Sequence, residues 1–147
     1  MKSLLVSTLS LLLFTAASAF ATVPEGWTDN YAKALEQAKA ENKMVLLDFT
    51  GSDWCAWCQK IDKEIFQTRK FKEYAAKHLV LVKVDFPDKA PQSAKVKAQN
   101  EKLQEKYDVD SFPTLMVVNA KGKKVWRNDG FLEGGPNAFI KAVNKKL

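Results

Sequence analysis

The sequence predicts an α/β sandwich in one domain, with a mixed central sheet of four strands, or five, flanked by helices. Three observations predict it. Two apolar β-type runs, Met44-Val45-Leu46-Leu47-Asp48-Phe49 and His78-Leu79-Val80-Leu81-Val82-Lys83-Val84-Asp85, are separated by helical patterning. A third run, Thr114-Leu115-Met116-Val117-Val118-Asn119, precedes a glycine-containing turn and a returning segment, Lys124-Val125-Trp126-Arg127. The chain of 147 residues suffices for one domain with a real core and is too short for two of typical size.

The first residues stand apart from that domain. Met1-Lys2 is a short positive start, residues 4–14 are almost unbroken apolar sequence, and small-residue patterns end at Ala19 and Ala21. This is the layout of a secretory signal peptide over residues 1–21, cleaved after Ala19 or Ala21, leaving residues 22–147 as the mature domain. The apolar run is shorter than the ~20 residues a spanning helix needs, so stable membrane insertion after cleavage is not expected. The implied location is the periplasm or beyond, in a bacterium.

The elements follow in order. After the irregular lead-in Pro24-Glu25-Gly26-Trp27, Thr28 or Asp29 caps a helix to about Glu41, with Tyr31, Leu35 and Ala38 on one face. Asn42-Lys43 breaks it, and the strand through Phe49 is apolar on both faces except at Asp48, as a central strand requires. A helix then runs through Ile61, Ile65 and Phe66, and Thr68 caps another with Phe71, Tyr74 and Ala75 facing inward. After the second strand comes a loop holding Pro87 and Pro91, then a polar helix over residues 92–107 with a stripe of Val96, Gln99, Leu103 and Tyr107. Gly134-Gly135-Pro136 opens a last helix that ends at Lys145-Lys146, basic residues suited to a helix C-terminus.

The chemistry concentrates in Asp53-Trp54-Cys55-Ala56-Trp57-Cys58, which holds the chain's two cysteines. If a helix begins near Cys55, the two thiols share one face and lie within disulfide reach. Cys55 then sits at the positive helix end among unpaired N–H groups, where thiolate is favoured over thiol. This makes Cys55 the candidate nucleophile, expected to be exposed, and Cys58, one turn deeper, the resolving thiol. A structural staple is the competing reading, but closing so short a loop stabilises by only roughly 2 kcal/mol. Asp48, a carboxyl in an apolar strand, is the candidate proton acceptor for Cys58, since burial raises its pKa.

On these residues the chain resembles the thioredoxin-like family. The resemblance runs from about Thr28 to the C-terminus and is carried by motif order: a strand, then Trp54-Cys55-Ala56-Trp57-Cys58 at a helix start, then Ser111-Phe112-Pro113-Thr114 before a hairpin. More narrowly, Asp48-Phe49-Thr50-Gly51-Ser52-Asp53-Trp54-Cys55 resembles exported bacterial thioredoxin-like oxidoreductases, with one residue more than thioredoxin between the strand aspartate and the first cysteine. The resemblance implies a three-layer sandwich and thiol–disulfide exchange with protein thiols and disulfides, supported by a separate redox partner protein and needing no cofactor. It also implies a cis peptide at Pro113, a supporting role for Lys83 beside Asp48, and a substrate groove lined by Trp54, Trp57 and Phe112. Core packing is the competing reading for both tryptophans. Ala56-Trp57 between the cysteines matches neither a Gly-Pro nor a Pro-His pair, so the direction of electron flow stays open.

Other classes fit less well. The net charge of +6 is spread over helices with acidic residues between the lysines, unlike a basic patch for nucleic acid. With a single histidine and one cysteine pair there is no closed zinc site, and no metal site is expected. A thiolate copper carrier and a redox-inert binding or chaperone-like module are the alternatives from different classes. Gln59 stands where covalent haem attachment expects histidine.

Overall fold

The structure, a computed structural model, describes residues 23–146. The signal peptide reading of residues 1–21 lies outside the described residues. The elements are β1 (Trp27–Thr28), α1 (Tyr31–Glu41), β2 (Met44–Thr50), α2 (Ala56–Ile61), α3 (Arg69–His78), β3 (Leu79–Asp85), α4 (Ala94–Lys106), β4 (Thr114–Val118), β5 (Lys124–Asp129) and α5 (Gly135–Asn144). A π-helical turn over Asp62–Phe66 prolongs α2.

The sheet has five strands in the order β1-β3-β2-β4-β5. β3 runs parallel to β1 and β2, while β4 is antiparallel to β2 and to β5, which makes the sheet mixed. Strand alternation then divides the core in two. Val45, Leu47 and Phe49 face α1 and the end of α4 through Ala34, Ala38, Leu103 and Tyr107. Leu46, Leu115 and Val117 face the other layer, with Ile61, Ile65, Phe71, Phe139 and Val143. Asp48 shares the parity of Leu46 and so lies on the face covered by α2.

Several boundaries differ from the sequence reading. Asn30, rather than Thr28 or Asp29, caps α1, its side chain accepting the Lys33 N–H at 3.0 Å. Thr28 instead pairs with Val82 in the short β1, supplying the fifth strand. His78 closes α3 and does not enter the strand. β5 continues past Arg127 to Asp129. The cap at Thr68 is as expected: its hydroxyl accepts the Phe71 N–H, and Phe71, Tyr74 and Ala75 are buried.

Candidate functional site

β2 delivers the chain into a tight turn, and the turn starts the helix that carries the cysteines. The Cys55 N–H donates to the Gly51 carbonyl at 2.8 Å, and Gln59 N–H donates to Cys55 O at 3.1 Å. Cys55 is thus the N-cap of α2, with extended backbone, and its Sγ accepts the Cys58 N–H at 3.2 Å. An anionic sulfur would occupy this place with more gain than a neutral one, because an otherwise orphaned helix N–H points at it and the helix dipole adds to the attraction. Cys55 and Cys58 form a disulfide with Cα atoms 5.2 Å apart.

The expected exposure of Cys55 is corrected. Cys55 and Cys58 are only 7% and 5% exposed. The cause is local. Sγ of Cys55 is engaged by its disulfide partner and by the Cys58 amide, and its own N–H is folded back on the Gly51 carbonyl. The sulfurs are nevertheless outside both core clusters.

Those rings are not core residues: Trp54 is 53% and Trp57 57% exposed. Trp54 donates its indole N–H to the Phe86 carbonyl at 2.8 Å and meets the Phe112 ring edge-on at 6.0 Å. Phe86 stacks on Phe112 at 5.0 Å. Gly51 leaves the room this needs, since a Cβ there would collide with the Trp54 ring. On the other flank Trp57 packs on Phe131 at 5.5 Å, and Lys60 Nζ lies over both rings, 5.1 Å and 4.5 Å from their centroids. The Phe112–Pro113 peptide is cis, and the Trp54–Phe112 contact sets this turn beside the cysteine motif.

On the sheet face covered by α2, Asp48 is 7% exposed and its pKa is pushed up to about 7. Burial is the main cause; the Lys83 ammonium pulls the other way, and the charges of Asp62 and Asp85 push further up. Asp48 and Lys83 are directly paired between β2 and β3. Lys83 does not simply reach for solvent, since its Nζ lies 3.9 Å from Asp85 Oδ2. Asp85 in turn accepts the Ser52 N–H at 3.0 Å and the Ser52 hydroxyl at 2.5 Å, tying the end of β3 to the turn before the cysteines. A carboxyl that titrates near neutrality can take up or release a proton at working pH.

Of the residues singled out in the sequence, Trp54 and Trp57 flank the cysteines, Phe112 and the cis Pro113 meet the motif through Trp54, and Asp48 and Lys83 are paired with each other on neighbouring strands. Sequence reasoning missed Lys60, Phe131, Phe86 and Asp53. The Trp57–Lys60 spacing of three on a helix was a usable signal. Asp53 gave none, because its partners are backbone amides: its carboxylate accepts the N–H groups of Asp88, Lys89 and Ala90, which hold its pKa down at about 2. Among the described residues, no three His, Cys, Asp or Glu side chains converge to hold a metal ion, and no helix is long and apolar enough to cross a membrane.

Comparison with known proteins agrees with this geometry. A family model described as a thioredoxin-like domain matches residues 31–146. The disulfide bond reductase DsbH of Chlamydia pneumoniae is 42% identical over 119 residues, covering 81% of this chain and 71% of that protein. A solved structure of DsbH oxidoreductase superposes with a TM-score of 0.76 at 38% identity, over 90% of this chain and 94% of that one. A thioredoxin from Thermus thermophilus shares the fold, with a TM-score of 0.60 at 20% identity over 81% of this chain and 84% of that one.

Proposed function

This chain belongs to the thioredoxin-like family and is a thiol–disulfide oxidoreductase, and from that premise we propose that it is an exported reductase of protein disulfides working through Cys55 and Cys58. The observation that carries the reading is the Cys55–Cys58 disulfide at a helix start, with the Cys58 amide aimed at Cys55 Sγ. The direction is supported by the similarity to a protein named as a disulfide bond reductase. Export is supported by the signal-like pattern of residues 1–21, the kind that directs a mature domain to the periplasm or beyond.

In the reduced protein the Cys55 thiolate attacks one sulfur of a substrate disulfide and expels the other as a thiolate, which takes up a proton. Asp48 removes the proton from Cys58, and the Cys58 thiolate attacks Cys55 Sγ. The substrate leaves as a dithiol and the protein as its internal disulfide, two electrons having passed to the substrate. A separate redox partner protein must return those electrons. Lys83 limits how far burial raises the Asp48 pKa. The backbone at Pro113 receives an extended substrate segment, with Trp54, Phe112 and Trp57 lining the groove.

Insulin reduction tests the proposal. With excess dithiothreitol the wild-type protein is expected to precipitate the insulin B chain well ahead of dithiothreitol alone. Precipitation at the dithiothreitol rate would instead match a redox-inert binding module.

A further inference from the structure

Asp53 is exposed and directly precedes Trp54, yet three backbone amides converge on it. Its Oδ1 accepts the Asp88 N–H at 2.9 Å, and Oδ2 accepts those of Lys89 and Ala90 at 2.8 and 2.9 Å. These amides belong to the loop that leaves β3 at Phe86. At the other end of that residue, Ser52 holds Asp85 through two hydrogen bonds. Phe86 is therefore bracketed between two ties to the turn that carries the cysteines. Its carbonyl holds the Trp54 indole, its ring stacks on Phe112, and Phe112 meets Trp54, closing a circuit beside Cys55.

From this circuit we propose that Asp53 is a positioning residue. It clamps the loop over residues 86–90 so that Phe86, Phe112 and Trp54 form a fixed wall, and the wall sets affinity for polypeptide substrates without entering the sulfur exchange. A loop free of regular structure would otherwise have to be ordered as the substrate binds, and that entropy would be charged to affinity. A small disulfide that touches only the sulfurs does not need the wall. The inference rests on the oxidoreductase reading above.

The test follows oxidation of the pre-reduced protein in single turnover by insulin and by bis(hydroxyethyl) disulfide, in wild type, Asp53→Ala, Asp53→Asn and Phe86→Ala. The half-saturating insulin concentration is expected to rise about three- to tenfold in all three variants. The limiting rate, and the rate with the small disulfide, are expected to stay within about twofold. Unchanged insulin saturation in Asp53→Ala and Asp53→Asn, or equal losses with both disulfides, overturns the clamp. Asp53→Asn also removes a charge near Cys55, whereas Phe86→Ala does not. Weaker insulin saturation in Asp53→Asn with none in Phe86→Ala would assign the effect to charge and overturn the clamp as well. A wild-type protein oxidised by neither disulfide removes the oxidoreductase reading itself, an outcome distinct from normal wild type with unaffected variants.

Discussion

Asp48→Asn is expected to make the oxidised protein more stable than wild type at pH 8, by about 2–4 kcal/mol in urea unfolding. Its carboxyl, buried beneath α2, has a folded-state pKa raised to about 7, while in the unfolded chain it titrates in the ordinary carboxylate range. The sign follows. Below that ordinary range the carboxyl is neutral in both states, and its burial costs nothing in charge. As the pH rises toward 7 the unfolded chain gives up the proton and the folded one keeps it, so wild-type stability falls. Above about 7 the folded protein carries the buried charge and the loss is complete. The neutral amide lacks this slope, so the advantage of the variant should shrink as the pH falls and vanish near pH 4. Function should move the opposite way. Resolution of the mixed disulfide should slow more than its formation and lose its pH dependence near neutrality. A variant with wild-type stability at pH 8 and wild-type resolution would remove Asp48 from both roles. Both results together would make one residue a cost in stability and a proton acceptor, a trade common at reactive sites.

The second large effect separates the two sulfurs. Reduced Cys58→Ser, offered a protein disulfide, is expected to accumulate a covalent adduct through Cys55, visible without reductant and released by it. Cys55→Ser is expected to form no adduct, and its insulin reduction should fall to the background rate. The near-equal burial of the two cysteines does not distinguish them. The roles rest on position: Cys55 caps the helix and receives the Cys58 amide, whereas Cys58 lies inside the first turn. Adducts from Cys55→Ser and none from Cys58→Ser would reverse the assignment.

What could be read from the sequence is what physical patterning writes there. The strands through Leu46, Val82 and Val117 are long apolar runs, and the cysteine pair and the Thr68 cap are local signals. The two-residue β1 is too short to show alternation, and Trp27 and Thr28 pair only because Leu81 and Val82 present a free edge. Asn30 outcompeted two earlier capping candidates because β1 held the chain extended through Thr28. The low exposure of Cys55 comes from a turn folded back on Gly51 and from its disulfide partner, neither visible in composition. The two tryptophans were legible as flanking residues but not as exposed ones. Asp53 illustrates the general limit: a carboxylate that recognises backbone amides from a distant loop leaves no trace in the identity of the residues it binds.

The central claim is that the Cys55–Cys58 bond is made and broken in function rather than kept as a staple. Redox equilibration against dithiothreitol and glutathione buffers, read by thiol alkylation, tests this most directly. The account predicts a reversible two-electron transition at about −270 mV, the range of reducing thioredoxins. A bond that resists reduction to below about −300 mV, as structural disulfides do, would contradict it.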